Sequence, residues 1–274
     1  MAIIDLTIRS SVLGLNTSVT VCFPENNGSD IRAGKPYRYT PGVKYQVLWL
    51  LTGGGGDSSE WVRFTNIERY AADKNLIVIT PATFLSLYTD MYYGEKYFTY
   101  LTEELPQIMS WMLPISDKRE DNFVAGFSMG GYGAFKWAFA HPERFAAAGS
   151  IGGALDMVNV VRTSHLHNGV LDRDFMLAFG SMENLVHSIN DDMYMAERQT
   201  VARRKLPKLF ISVGKDDFTY SRNVESKDKL IDMGYNVTWD TGKGSHSYEY
   251  CDSRIKSFLD WADLKGTPIY DTEG

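Results

Sequence analysis

Apolar and polar residues recur with two different periods along this chain. Two early runs, residues 5–10 and 18–23, alternate residue by residue and predict an antiparallel pair of strands at the start of a sheet. Continuous apolar runs, typical of strands buried on both faces, follow at residues 45–51, 76–80, 122–125, 146–151 and 208–213, and a further strand is predicted around 236–239.

Amphipathic runs with helical spacing separate these strands. They predict helices at residues 60–74, 101–113, 132–140, 223–233 and 253–262. Strands that alternate with helices indicate a mostly parallel, doubly wound α/β sheet. The 274 residues fit a single α/β domain over 1–274, with room for one insertion. Residues 155–206 contain no clear strand and are the predicted place of that insertion.

The most informative motif is Gly126-Phe127-Ser128-Met129-Gly130, between the predicted strand at 122–125 and the predicted helix at 132–140. Gly-x-Ser-x-Gly in a strand–turn–helix context is typical of a nucleophile elbow, whose sharp turn exposes the serine side chain. The glycines leave room for the backbone to fold back on itself. The N-terminus of the helix points its free N–H groups at the position where an oxyanion would form. Ser128 is therefore the predicted nucleophile.

A serine nucleophile needs a base and an acid, which follow it along the chain at such an elbow. Of five histidines, only His246 lies in the C-terminal quarter, in a Gly- and Ser-rich loop after the strand at 236–239. We expect His246 to accept the serine proton, with a surface loop histidine as the alternative. The strand at 208–213 leads into Asp216 and Asp217, and spacing alone does not choose which of them orients the imidazole.

Four consecutive glycines, residues 53–56, follow the predicted strand at 45–51. Backbone N–H groups in such a loop can approach a phosphate or an oxyanion closely. The phosphate interpretation fails because no Gly-Lys-Ser/Thr follows and the spacing is not that of a dinucleotide fingerprint. The loop therefore predicts an oxyanion hole, in which the N–H of Gly54 pairs with the N–H of Met129. A flexible turn is the alternative.

Composition and charge exclude several other classes of function. A formal net charge of −6 without a basic cluster argues against a nucleic-acid partner. No apolar stretch is long enough for a membrane span, so no membrane partner is expected. The start of the chain alternates like a strand and is not apolar like a signal peptide. Cys22 and Cys251 lie far apart, which favours a reducing compartment and a cytoplasmic location.

The remaining polar motifs do not indicate a metal or a cofactor. His165 and His167 form the only close histidine pair, but no carboxylate or cysteine stands at ligand spacing, and we interpret them as loop residues. The predicted ligand is a small-molecule ester. A homo-oligomer remains open.

The chain resembles the esterase D group of α/β hydrolases over nearly its whole length. This group includes S-formylglutathione hydrolases, tributyrin esterases, and feruloyl and acetyl-xylan esterases. Its elbow pattern Gly-x-Ser-Met-Gly-Gly-Tyr/His-Gly-Ala matches residues 126–134. The acid motif Gly-x-x-Asp-Phe-x-Tyr of the tributyrin-esterase-like members matches residues 214–220 and selects Asp217 over Asp216. The oxyanion motif His-Gly-x-x-Gly matches residues 52–56, except that Thr52 replaces the histidine. S-formylglutathione hydrolases also lack this histidine.

The resemblance is closest to the bacterial tributyrin and acetyl/feruloyl esterase branch. It implies an α/β-hydrolase fold with a cap insertion at about 155–206; helices that simply pack on the sheet are the alternative for that segment. It also implies a serine carboxylesterase that cleaves short-chain or sugar-linked acyl esters, of acetyl, butyryl or feruloyl type, with Ser128, His246 and Asp217 as catalytic triad. An S-formylglutathione hydrolase-type thioesterase, an acyltransferase of the same fold and a catalytically silent binding module are the alternatives.

Three aromatic residues are predicted to line the substrate pocket. Tyr93 and Tyr97 lie in a tyrosine-rich stretch, and Trp61 follows the glycine loop. Ordinary packing, with the tyrosine hydroxyls in water, is the alternative interpretation.

Overall fold

The three-dimensional structure is a computed structural model that describes residues 1–26, 28–34 and 41–270. Its strands are β1 (Ala2–Arg9), β2 (Asn16–Phe23), β3 (Val43–Lys44), β4 (Val47–Leu51), β5 (Ile77–Pro81), β6 (Asn122–Phe127), β7 (Ala147–Ile151), β8 (Leu166–His167), β9 (Val170–Leu171), β10 (Lys208–Gly214), β11 (Val237–Gly242) and β12 (Ile269–Tyr270).

The helices of the described residues are α1 (Gly28–Arg32), α2 (Glu60–Phe64), α3 (Ile67–Asp73), α4 (Tyr97–Thr99), α5 (Leu105–Met112), α6 (Met129–Ala140), α7 (Met157–Ser164), α8 (Arg173–Phe179), α9 (Met182–Leu185), α10 (Asp192–Val201), α11 (Tyr220–Asp232) and α12 (Tyr248–Trp261). A π-helical turn, Tyr100–Glu104, joins α4 to α5, and a 3₁₀ turn, Arg119–Asp121, precedes β6. Within the described part of the chain, every helix is too short or too polar to cross a bilayer.

An eight-stranded sheet in the order β1-β2-β5-β4-β6-β7-β10-β11 forms the centre of the fold. β1 pairs with β2 and β2 with β5 in antiparallel fashion, and every later neighbour in the sheet is parallel. The predicted mostly parallel sheet with an antiparallel N-terminal start is confirmed. Because β5, β4, β6, β7, β10 and β11 are parallel to one another, the loops that follow β4, β6 and β10 all leave the sheet at its carboxyl edge.

Helices cover both faces of this sheet, which explains why its central strands are apolar throughout. Alternate residues of a strand point to opposite faces. Trp49 and Leu51 of β4 pack into the core under α5, α6, α10 and α11, whereas Leu48 and Leu50 pack into the core under α2, α3 and α12. All five residues of β4 are buried. The sheet is therefore the middle of three layers, and its carboxyl edge is left for the connecting loops.

The predicted helix at 60–74 is wrong in one respect, because the structure divides it into α2 and α3. Thr65 is extended at φ −137° and ψ 173°. Its hydroxyl donates to the Trp61 carbonyl at 2.5 Å and accepts from the Ile67 N–H at 3.2 Å. The next N–H, that of Asn66, donates to the Asp252 carboxylate at 2.6 Å. These side-chain bonds replace the backbone bonds that a continuous helix would make.

Residues 155–206 form four helices, α7 to α10, and a small hairpin, β8–β9, where the sequence pattern predicted no strand. Asp192, at the start of α10, accepts hydrogen bonds from the N–H groups of Asp156 (2.9 Å) and Met157 (2.8 Å). Tyr132 of α6 donates its hydroxyl hydrogen to the carbonyl of Asn190 at 2.8 Å. These bonds join the start of the segment to the start of α10, and the residues just before α10 to helix α6, which begins directly after Ser128.

Candidate active site

Ser128 lies at a strained turn between β6 and α6, with φ 55° and ψ −118°. A non-glycine residue with positive φ costs energy that the surrounding structure must offset. The turn is possible because its neighbours lack side chains: a Cβ on Gly126 would lie 2.3 Å from the Gly130 carbonyl oxygen, and a Cβ on Gly130 would lie 2.4 Å from that of Leu51. The structure thus has the elbow geometry that the motif predicts.

The structure brings Ser128, His246 and Asp217 together at the carboxyl edge of the sheet. His246 Nε2 is 2.9 Å from Ser128 Oγ, and His246 Nδ1 is 2.8 Å from Asp217 Oδ2. Three separate loops contribute these residues, after β6, β10 and β11. Both distances are hydrogen-bond distances, so a proton on Ser128 can pass to His246 while Nδ1–H remains bonded to Asp217.

The carboxylate of Asp217 is buried and saturated with hydrogen bonds. Oδ2 faces His246, and Oδ1 accepts from the backbone N–H (2.8 Å) and the hydroxyl (2.7 Å) of Thr219. Burial acts to raise the pKa of Asp217, but the hydrogen bonds from His246 and Thr219 outweigh it, and the pKa is lowered below its usual value. Asp217 is therefore held ionised beside the imidazole. The neighbouring Asp216 is exposed to solvent.

Two aromatic rings flank the imidazole of His246. The ring centroids of Phe127 and Phe218 both lie 4.6 Å from that of His246, at interplanar angles of 37° and 48°. Phe127 is buried, whereas Phe218 is 73% exposed. An exposed phenylalanine costs free energy in water, so the position of Phe218 is better explained by its contact with His246 and the cavity beside it than by core packing.

The glycine loop lies across from the elbow, as predicted for an oxyanion hole. A Cβ built on Gly54 would be 4.0 Å from Met129 Cβ, so the two backbones are adjacent. Met129 is the first residue of α6, and its N–H has no acceptor within the helix. The Tyr88 hydroxyl donates to the Thr52 carbonyl at 2.9 Å, which braces the start of this loop.

A cavity of about 270 Å³ adjoins Ser128, Met129 and Gly54. Its walls are mostly apolar, and besides Ser128 they include four polar or charged residues, His165, Asp174, Thr219 and Arg222. The main apolar residues are Leu85, Leu87, Met157, Val160, Phe175 and Phe218. Five of these lining residues belong to the 155–206 segment, so this segment forms one side of the cavity: Met157, Val160, His165, Asp174 and Phe175.

None of the three predicted pocket residues lines this cavity in the structure. Trp61 is fully buried and donates its indole N–H to the Leu51 carbonyl at 3.1 Å. Tyr97 packs in the core, and Tyr93 is 61% exposed, edge-on to Tyr92. The prediction failed because it used closeness in sequence to the glycine loop and aromatic composition. The aromatic walls are instead Phe175 and Phe218, from α8 and from the residue after Asp217.

Sequence reasoning also missed the charged residues of the cavity, Arg222 and Asp174. Arg222 lies in the first turn of α11, and Asp174 in the first turn of α8. Neither position belongs to a motif, and the pairing of α7, α8 and α11 around one cavity is a tertiary feature. Among the cavity residues that the prediction missed, Phe218 had a sequence signal, since it stands inside the acid motif next to Asp217.

A hydrogen-bonded Ser–His–Asp chain on a strand-to-helix elbow, at the carboxyl edge of such a sheet, is the arrangement of serine hydrolases with the α/β-hydrolase fold. The model of the Esterase family matches residues 30–261, and the chain belongs to that family. It is a carboxylic ester hydrolase.

Similar proteins agree with this assignment. The chain is 24% identical over 264 residues to an acetyl esterase of Caldicellulosiruptor saccharolyticus, an alignment that covers 95% of this chain and 98% of that protein. Two solved structures from Staphylococcus aureus are each 31% identical and each cover 95% of this chain and 98% of theirs. One is the fluorophosphonate-binding serine hydrolase F with substrate bound, at a TM-score of 0.84, and the other is an S-formylglutathione hydrolase, at a TM-score of 0.81.

Proposed function

We propose that the protein hydrolyses short-chain or sugar-linked acyl esters, of acetyl, butyryl or feruloyl type, through a catalytic triad of Ser128, His246 and Asp217. The observation that carries this proposal is the continuous chain of hydrogen bonds from Ser128 Oγ through His246 to Asp217. The similarity to an acetyl esterase supports an acyl ester as substrate. The 155–206 segment, which lines the cavity beside Ser128, acts in this proposal as a cap over the acyl or alcohol part.

The reaction proceeds in two acyl-transfer steps. His246 Nε2 takes the proton of Ser128 as Oγ attacks the ester carbonyl carbon, and Asp217 stabilises the imidazolium that forms. The N–H groups of Gly54 and Met129 bind the oxyanion of the tetrahedral intermediate, where one such donor is worth about 3–4 kcal/mol. His246 returns the proton to the leaving alcohol. Water, deprotonated by His246, then attacks the acyl-enzyme, and the carboxylic acid and Ser128 are released.

Replacing the nucleophile tests this mechanism directly. Ser128→Ala should abolish both ester hydrolysis and covalent labelling by an organophosphonate, while circular dichroism shows an intact fold. The matched control is Ser188→Ala, a serine outside this cavity whose hydroxyl donates to the Leu185 carbonyl at 2.7 Å. Labelling that persists in Ser128→Ala would remove Ser128 as the nucleophile.

A thioesterase of the S-formylglutathione hydrolase type is the second candidate. It is favoured by the similarity to the S-formylglutathione hydrolase of Staphylococcus aureus over 95% of this chain. The same triad would cleave a thioester, with a thiol as leaving group. Relative kcat/KM values for 4-nitrophenyl acetate, 4-nitrophenyl butyrate, methyl ferulate, acetylated xylan and S-formylglutathione decide between the candidates. A value for S-formylglutathione at least 100-fold above every oxygen ester would favour the thioesterase.

A further inference from the structure

One wall of the cavity beside Ser128 carries a cation that the proposed mechanism does not use. Arg222 lines this cavity together with Ser128, Met129 and Gly54. It lies in the first turn of α11, a helix of 13 residues that follows the Asp217 loop. Arg222 therefore lines the same cavity as the hydroxyl that would attack an ester.

The hydrogen-bond capacity of Arg222 is mostly unused. Its Nη2 donates to the hydroxyls of Ser164 and of Thr163, the latter at 3.4 Å. Both partners are neutral, and no carboxylate in the described part of the chain forms an ion pair with Arg222. A guanidinium has five N–H donors in a planar fork that matches a carboxylate. Arg222 thus retains donors, and a positive charge without an ion-pair contact, for a ligand in the cavity.

Local stability does not explain a cation at this position. The N-terminus of a helix carries partial positive charge, and a cation in the first turn is disfavoured there. The first turn of α11 contains no acidic residue to offset Arg222. The two hydroxyl bonds to the end of α7 are a structural role that Arg222 does fill, and an experiment must separate this tether from a role for the charge.

We propose that Arg222 binds a carboxylate on the substrate, so that the enzyme prefers esters that carry one negative charge a few bonds from the scissile carbonyl. This inference rests on the proposed function, since it assigns a substrate class to the same cavity. The apolar walls formed by Met157, Val160 and Phe175 suit the hydrocarbon between the ester and the carboxylate. Asp174, on the same cavity, repels such a group and limits the preference.

The test uses two pairs of esters, in which each anionic ester has a neutral partner of similar shape. With the charge on the acyl side, the mono-4-nitrophenyl ester of adipic acid is compared with the same ester whose free carboxyl is a carboxamide. With the charge on the alcohol side, 3-acetoxybenzoate is compared with 3-acetoxybenzamide. The quantity measured is the ratio of kcat/KM for the anionic ester to kcat/KM for its neutral partner. The wild-type ratio should exceed one in at least one pair, and that pair identifies the side that carries the carboxylate.

Replacing Arg222 should lower this ratio. Arg222→Gln should reduce it by about tenfold or more, as expected for loss of a charge-assisted bond. Arg222→Lys should retain most of it, because the charge remains. Asp174→Asn should raise it. The matched control is Arg162→Gln, which removes an exposed arginine at the end of α7, outside this cavity, and should leave the ratio unchanged.

Ser164→Ala separates the charge from the tether. It removes the hydroxyl that Arg222 contacts but leaves the cation, so the ratio should change by less than threefold. A ratio that falls in Ser164→Ala as far as in Arg222→Gln would overturn the proposal in favour of the structural role. An Arg222→Gln ratio equal to that of the wild type in both pairs would overturn it as well. So would a wild-type ratio of one or less in both pairs. Failure of the proposed function would give a different result. In that case Ser128→Ala would cleave the neutral esters as fast as the wild type does.

Discussion

Tyr88 donates its phenolic hydrogen to the carbonyl oxygen of Thr52 at 2.9 Å, and both residues are fully buried. Thr52 stands where the resemblance implied a histidine, at the start of the glycine loop that carries Gly54. Tyr88 lies 36 residues later, on the loop after β5. The hydrogen bond therefore links the proposed oxyanion loop to a second loop. This link fixes the position of the oxyanion loop.

Tyr88→Phe should lower kcat about threefold to tenfold while KM changes little. The buried Thr52 carbonyl would lose its partner, a loss of about 1–3 kcal/mol in unfolding free energy. Part of this loss should appear as a misplaced Gly54 N–H, which acts on the transition state more than on the bound ester. Steady-state kinetics and thermal unfolding measure the two effects.

Tyr235→Phe is the matched control for that change. Its hydroxyl is also buried and donates to the Ala196 carbonyl at 3.1 Å, outside the cavity. We expect a similar loss of stability with unchanged kcat. If both variants lose kcat to the same extent, the effect of Tyr88 is a general loss of stability and not positioning of the loop.

Asp217→Asn should reduce kcat by about 10⁴, whereas Asp216→Asn should reduce it by less than twofold. An amide at the triad acid cannot stabilise the imidazolium and favours the wrong tautomer of His246. Asp217 is buried against His246, while Asp216 is exposed. Parallel measurements of kcat for the two variants are the check. The acid assignment would move by one residue if Asp216→Asn proved to be the inactive variant.

Gly152→Ala should reduce kcat/KM about 100-fold. Gly152 has φ +53°, and an added Cβ would lie 2.9 Å from Asp217 Oδ2 and 3.2 Å from His246 Nδ1. The methyl group must displace the Asp217–His246 pair, and a displacement of about 1 Å in a catalytic group can cost about 10² in rate.

Gly14→Ala is the control for Gly152→Ala, because Gly14 has φ +69° but nothing within 4 Å of the added methyl group. It should lose about 1–2 kcal/mol of stability from the left-handed backbone, as Gly152→Ala does, and keep its activity. Equal activity in the two variants would contradict the prediction.

Asp192→Asn should change how stability depends on pH. Burial raises the pKa of Asp192 to about 7, although hydrogen bonds from the N–H groups of Met157 and Asp156 act to lower it. The folded pKa is therefore above the unfolded value of about 3.9. Between these values the unfolded state is ionised while the folded state holds the proton, so the wild type loses stability as pH rises from about 4 to about 7.

The asparagine variant lacks this proton. Its unfolding free energy minus that of the wild type should thus increase by up to about 1.4 kcal/mol per pH unit in this range and level off above pH 7. Denaturant unfolding at several pH values between 5 and 8 measures the difference. A difference that stays constant across these pH values would show that Asp192 is ionised in the folded protein.

The sheet could be predicted from the sequence because its signals are local. Continuous apolar runs at β4, β6 and β10 are required wherever helices cover both faces of a strand, so the pattern and the parallel arrangement go together. The one long helix predicted at 60–74 was divided by Thr65 and by the carboxylate of Asp252, 186 residues away from Asn66. A contact at that separation leaves no trace in a local pattern.

The same difference between local and long-range signals applies to the candidate site. The elbow at Ser128, the glycine loop and the positions of Asp217 and His246 follow from short motifs, because a strained turn requires glycines in the adjacent sequence and because parallel strands deliver their loops to one edge. The cavity has no such signal. Its walls come from several loops and from α7, α8 and α11, and Arg222 and Asp174 reach the same cavity only after these helices have packed together. The sequence by itself determined the chemistry proposed for Ser128. The tertiary structure decided which side chains line the cavity beside it, because packing between distant segments determines the shape and charge of a cavity.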